Sequence, residues 1–283
     1  SKAALLYNFL QYFTRNKLQF LSIKNNGDYM SNIVFAFTLS TLAGLSTLLG
    51  FLPLLFNLHD EKKIILKSLA FASGVMLTVS FIDLIPESYN LLASIFKGFP
   101  ALLLLLIFLI IGIIFSILID KFLPSNNNID IKNKKLFHLG FVSMLAIILH
   151  NIPEGIATFL SASANQKLGL SLALAISFHN IPEGISIAIP IYFSTKNKKK
   201  AFLYTFISGF SEPVGSLIAY LFLAKYMNDL LMSILLSFIA GLMIHIALFE
   251  LLKESISYQN KKKTLLFFFI GVIFMLISII LTR

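Results

Sequence analysis

"LHNIPEGIATF" at 149–159 returns as "FHNIPEGISIA" at 178–188, 29 residues later. Each copy sets a histidine, an amide and a carboxylate around a proline, within a stretch otherwise built of Leu, Ile, Ala and Phe. Ionisable groups are costly in hydrocarbon, so inside a membrane span they point to function. The chain around the two strings has the same apolar character. Of its 283 residues 57% are hydrophobic and 13% charged, whereas soluble domains carry about 25% charged residues. The sequence is therefore read as an all-α integral membrane protein.

A helix crosses the bilayer with roughly 20 apolar residues. Eight stretches qualify, at about 33–56, 64–85, 99–119, 136–162, 168–193, 201–224, 230–252 and 264–282. Residues 31–283 thus form one eight-helix unit. Residues 1–30 form an extension, too broken to span and without the pattern of a cleavable signal. It reads as an interfacial amphipathic helix or as sequence upstream of a start at Met30, dispensable for function. The connection at 121–135 is rich in Asn and Lys and has no means of building a core.

The formal charge of +10 lies in short lysine clusters between apolar runs. This is the distribution that orients membrane helices, and it does not suit a nucleic-acid face. Odd-numbered connections carry fifteen Lys and Arg residues, against four on the even-numbered connections and the C-terminus. Positive charge stays inside, so both ends of the eight-helix unit are expected outside the cytoplasm. The expected location is the cell (inner or plasma) membrane, as a multi-pass protein. There is no cysteine, which excludes disulfides and thiolate metal sites.

Two further echoes organise the spans. "SGVMLTVSFIDLIPES" (73–88) matches "AGLMIHIALFELLKES" (240–255) at an offset of 167, placing Asp83 on Glu250 and Ser88 on Ser255. "AGLSTLLG" (43–50) resembles "SGFSEPVG" (208–215). Helices 1–3 are thus related to helices 6–8, and helix 4 to helix 5. A shift of five helices, or of one, reverses direction across the membrane. The layout is 3+2+3 with inverted halves, as in many transporters that alternate access around a midplane site.

His150 and Glu154 are four residues apart and share a helix face, with Asn151 turned about 100° away. Pro153 lacks the N–H its helix needs, which predicts a bend and a free carbonyl. His179, Asn180, Pro182 and Glu183 repeat the design, and Glu212 joins from "GFSEPVGS". No lysine or arginine lies within these three spans. Three carboxylates buried together cannot all stay ionised without positive compensation, which protons or a bound cation must supply. Imidazole nitrogen with carboxylate oxygen and no sulfur suits divalent Zn, Fe, Mn, Co or Cd better than Mg or Ca. The partners expected are such ions and the lipid bilayer, with no nucleic acid, and a homodimer is the candidate assembly.

The paired "HNIPEG" strings, with a Glu in a "GxxEPxG" segment on the next helix, resemble the ZIP (Zrt/Irt-like) family of divalent-metal transporters, in particular its bacterial ZupT branch. The resemblance covers about 31–283. It implies a binuclear centre between helices 4 and 5. One ion would be held by His150, Glu154, His179 and Glu183, and the second by Asn151, Glu154, Asn180, Glu183 and Glu212. It also implies uptake of zinc first, with iron, manganese, cobalt and cadmium, into the cytoplasm, through motion of helices 1, 4, 5 and 6. The chain departs from some relatives in carrying Asn, not Asp, at 180, and in having no histidine at 121–135.

Four further residues are pathway candidates. Asp83 and Glu87 stand at the outer end of helix 2 as an entrance, or as a solvated helix end. His245 and Glu250 on helix 7 form an exit relay, or a structural hydrogen bond. The rival function is an intramembrane metal-dependent hydrolase. Against it, "HExxH" is absent and the whole motif is duplicated, which suits alternating access better than one reaction centre. The chain is therefore read as no enzyme, with the metal as cargo and no resident cofactor.

Overall fold

The computed structural model describes residues 27–56, 60–122, 133–223 and 228–282. The expectations for residues 1–26 and for most of the 121–135 connection lie outside the described residues. Among those described there is no strand, and eight helical rods follow one another. They are α1 (Gly27–Leu45, then a 3-10 helix over Ser46–Leu55), α2 (Glu61–Val79, Ser80–Leu84, Ile85–Ile95), α3 (Phe99–Phe122) and α4 (Lys134–Ala164). Then come α5 (Gln166–Thr195), α6 (Lys198–Ile218, then Ala219–Leu223), α7 (Asp229–His245, Ile246–Leu252, Lys253–Ser257) and α8 (Lys261–Thr282). The short polar connections between apolar runs start helices. Asp60, Asn133, Asn165, Asn197, Asn228 and Asn260 each accept a backbone N–H of the first turn that follows. Such caps satisfy donors that a helix start otherwise leaves open.

Among the described residues, seven of these helices are long and apolar enough to cross a membrane, the described part of α6 not being one of them. The expected sixth span is a helix, but a more polar one, because it buries Thr205, Ser208, Gly209, Ser211, Glu212 and Ser216 against its neighbours. Helix α2 runs ten residues past its expected end at 85, to Ile95. Pro86 does not stop it: a π-helical turn at Ser80–Leu84 ends two residues before the proline and takes up the break in the i to i−4 ladder. Helix α7 likewise continues to Ser257 through a π turn at Ile246–Leu252.

These two wide turns occupy equivalent places at the offset of 167 found in the sequence. The packing repeats at the same offset. Ser88 Oγ of α2 donates to Ser233 O of α7 at 2.9 Å, and Ser255 Oγ of α7 donates to Leu66 O of α2 at 2.8 Å. Both donors and both acceptors are 167 residues apart. Gly74 of α2 lies against the Phe268 carbonyl of α8, where a Cβ would overlap it, and its counterpart Gly241 of α7 lies against the Leu109 carbonyl of α3. The pairs α2–α8 and α3–α7 are thus inverted copies of one crossing, made close by glycine.

The remaining helices, α1, α4, α5 and α6, pack chiefly on one another. Two ion pairs tie this group to the rest at its lysine-rich end. Lys135 Nζ at the start of α4 lies 2.5 Å from Glu254 of α7, and Lys196 after α5 pairs with Glu61 of α2.

Candidate metal centre

The paired motifs meet between α4 and α5, and both helices continue through their prolines. The His150 and His179 rings stand 5.9 Å apart between centroids. Glu154 Oε1 lies 3.1 Å from His150 Nε2 and 2.8 Å from His179 Nε2, so it bridges the two imidazoles. Glu183 Oε1 approaches His150 Nε2 to 3.6 Å. His150, Glu154 and His179 form a group whose donor atoms all lie within 4.8 Å of one another, a spread one metal ion can span. His150, Asn151, His179, Asn180, Glu183 and Glu212 are buried, while the Glu154 side chain keeps 12% of its surface exposed.

The two asparagines are held in a common way. Asn151 Nδ2 donates to Ser208 O of α6 at 3.0 Å, and Asn180 Nδ2 donates to Ala43 O of α1 at 3.0 Å. Each accepting carbonyl is also met by a hydroxyl three residues on, Ser211 Oγ at 2.5 Å and Ser46 Oγ at 2.6 Å. With the NH2 ends committed to backbone, both amide oxygens are left for the site, and both are buried without a hydrogen bond. The carbonyls that anchor the site thus come from α1 and α6, which flank the motif helices. Glu212 Oε2 accepts a second bond from Asn180 Nδ2 at 3.0 Å, and its Oε1 is unpartnered.

Unpartnered buried polar atoms are rare in folded proteins, and each needs a physical cause. Here they concentrate at one place. Asn151 Oδ1, Glu154 Oε2, Asn180 Oδ1, both Glu183 oxygens and Glu212 Oε1 all lack a hydrogen bond, as do His150 Nδ1 and His179 Nδ1. Apart from the imidazoles this is a set of acceptors with no donor, and oxygens facing one another repel unless a cation lies between them. The donor chemistry is that of a divalent transition metal. Of the seven residues singled out in the sequence, His150, Glu154 and His179 form the group that one ion can span, Glu183 approaches it through His150, and Asn180 is bonded to Glu212.

A sequence model described as "ZIP Zinc transporter" matches residues 125–279. A Clostridium perfringens (strain 13 / Type A) protein named "Zinc transporter ZupT" is 39% identical over 280 residues, covering 90% of this chain and 98% of the relative. Proteins of the same name from Chlorobium luteolum and Streptococcus mutans serotype c are each 37% identical, covering 89% of this chain and 99% of the relative. This chain belongs to the ZIP zinc transporter family. ZIP proteins are transporters, so the hydrolase reading falls away.

The four pathway candidates of this ZIP chain are spread more widely. Asp83 is half-buried in the π turn of α2, and Glu87 is exposed one turn on. His245 is buried on α7, with Nδ1 2.9 Å from Ser116 Oγ of α3 and its ring stacked on Phe249 at 5.3 Å. Glu250 is half-buried in the π turn of α7. Sequence reasoning missed the anchoring role of α1, carried by Ala43 O and Ser46. The signal was present in the "AGLSTLLG" and "SGFSEPVG" echo, which aligns Ser46 with Ser211.

Proposed function

We propose that this protein carries divalent transition-metal ions, zinc before iron, manganese, cobalt or cadmium, across a cell membrane into the cytoplasm. The observation that carries the reading is the buried convergence of unpartnered acceptors from α4, α5 and α6 around two imidazoles. The metal is the cargo. His150, Glu154, His179 and Glu183 hold one ion, and Asn151, Glu154, Asn180, Glu183 and Glu212 hold a second beside it, Glu154 and Glu183 serving both. Neutral amide oxygens in the second set weaken it, which suits an ion that must leave again.

The lysine distribution orients the eight-helix unit with both ends outside, α6 crossing as the sixth of its eight spans. Helices α1, α4, α5 and α6 form the moving body. Their mutual packing, and their attachment to α2 and α7 through ion pairs at one end, support that division. Motion of this body exposes the ion first to one side and then to the other. Asp83 and Glu87 concentrate cations at the outer entrance, and His245 with Glu250 line the inner exit.

Purified protein in liposomes tests the proposal. Zinc flux is expected in the parent and is expected to be lost in Glu154→Ala and Glu183→Ala. Flux that persists in both variants sinks the assignment. Competition among Zn, Fe, Mn, Co and Cd at two pH values then ranks the cargo and exposes any coupling to protons.

A further inference from the structure

The inverted repeat that builds the site breaks at one polar position. Aligning "AGLSTLLG" with "SGFSEPVG" superposes Ala43 on Ser208, Gly44 on Gly209, Ser46 on Ser211 and Thr47 on Glu212. The structure follows this alignment at several contacts around the site. Ala43 O and Ser208 O receive matching pairs of donors, Asn180 with Ser46 and Asn151 with Ser211. Gly44 and Gly209 face each other across the α1–α6 crossing, each against the other's carbonyl. The Glu212 carbonyl lies against Gly155, the residue after Glu154, and the Thr47 carbonyl lies against Gly184, the residue after Glu183. Thr47 therefore occupies, on α1, the position from which Glu212 enters the site on α6.

Its hydroxyl is also left over. A helical threonine ordinarily bonds the carbonyl four residues back, as Thr38, Thr78 and Thr205 do at 2.7–2.9 Å. For Thr47 that carbonyl is Ala43 O, already met by Asn180 Nδ2 at 3.0 Å and Ser46 Oγ at 2.6 Å. Thr47 is fully buried and its Oγ1 has no hydrogen bond. Burying a hydroxyl unpaired costs about 1–3 kcal/mol, where a valine of the same shape would cost nothing.

We infer that Thr47 is the neutral counterpart of Glu212 in the cargo site, its hydroxyl holding a water of the partly dehydrated ion on the side opposite that carboxylate. This rests on the metal-transport reading above. Glutamate reaches into the site directly, whereas the shorter threonine reaches through the ion's own hydration. With Thr47 in place the site carries three carboxylates, and a fourth would bind dications too firmly to release them.

The test compares parent, Thr47→Val, Thr47→Ser and Glu183→Ala, each purified full length, by zinc titration and by thermal unfolding with and without zinc. Thr47→Val is expected to be at least as stable as the parent without zinc, yet to bind zinc about three- to tenfold more weakly, the worth of one hydrogen bond. Thr47→Ser is expected to bind as the parent does. Thr47→Val with parental zinc affinity overturns the inference while Glu183→Ala still loses binding. If Glu183→Ala also binds as the parent does, the metal-site reading itself has failed.

Discussion

Substituting Gly155 by alanine probes how the site is held together. Gly155 of α4 lies so close to α6 that an added Cβ would overlap the Glu212 carbonyl oxygen and crowd Glu212 Cα. Both obstacles are helix backbone, so no rotamer change relieves them. Carbon–oxygen contacts close at roughly 3.3 Å, against 1.9 Å from the added Cβ to that oxygen, so the two helices must part by roughly 1.4 Å. Overpacking of this kind costs about 1–3 kcal/mol, partly offset by the roughly 1 kcal/mol that alanine gains over glycine in a helix. Stability is therefore expected to fall only modestly. Function is expected to fall further, because the displaced segment carries Glu212. A shift of about 1 Å in a positioned group costs on the order of a hundredfold in rate where geometry governs the step. Gly140→Ala, on the same helix, is the comparison, since the atoms nearest a Cβ there belong to the side chains of Ile191 and Pro190. The assay is zinc flux in liposomes beside thermal unfolding with and without zinc. Parental flux and parental stabilisation by zinc in Gly155→Ala would refute the reasoning.

Three other outcomes follow from the same geometry. Ser88→Ala and Ser255→Ala each remove one member of the reciprocal α2–α7 pair, and each is expected to lower stability by about 1 kcal/mol, additively in the double variant; unfolding in detergent in which only one of them matters contradicts the symmetry. Asn180→Asp takes away both donors that bond Glu212 and Ala43 O. The metal-free protein should lose about 1–3 kcal/mol while stabilisation by zinc grows, and a variant as stable as the parent without zinc counts against the amide orientation. Tyr258, just past the last turn of α7, has its phenol pushed up to about 12 by burial and by the nearby Glu254 and Glu61 carboxylates. The unfolded chain gives up that proton near the ordinary value of 10.0. Its contribution to stability is thus constant below pH ~10 and lost between about 10 and 12, a loss that Tyr258→Phe should lessen in alkaline unfolding.

The motif "HNIPEG" was legible because its parts are local. His and Glu four apart share a helix face whatever surrounds them, and chance rarely doubles so polar a string within an apolar run. The count of apolar stretches located the helices for a similar reason, since hydrocarbon imposes the length. Helix α6 turns its buried Ser216 toward Ser40 of α1 and the Gly155 carbonyl of α4, a pairing that spacing along the chain does not disclose. Helix α2 outruns Pro86 because a π turn takes up the missing bond, and periodicity does not disclose a change in helical pitch.

Composition and pattern by themselves therefore determined the class of molecule, the inverted repeat and the residues proposed for a cation site, since each follows from spacing along one chain and from the cost of polarity in oil. Only the tertiary structure decided how those residues are aimed. The amide oxygens of Asn151 and Asn180 face the site because backbone carbonyls on α1 and α6 claim their nitrogens, and Thr47 is left unpaired because those same bonds occupy its usual acceptor. Such assignments depend on which helix lies across a gap of three ångströms, and that is set by glycine-to-carbonyl crossings between segments far apart in sequence.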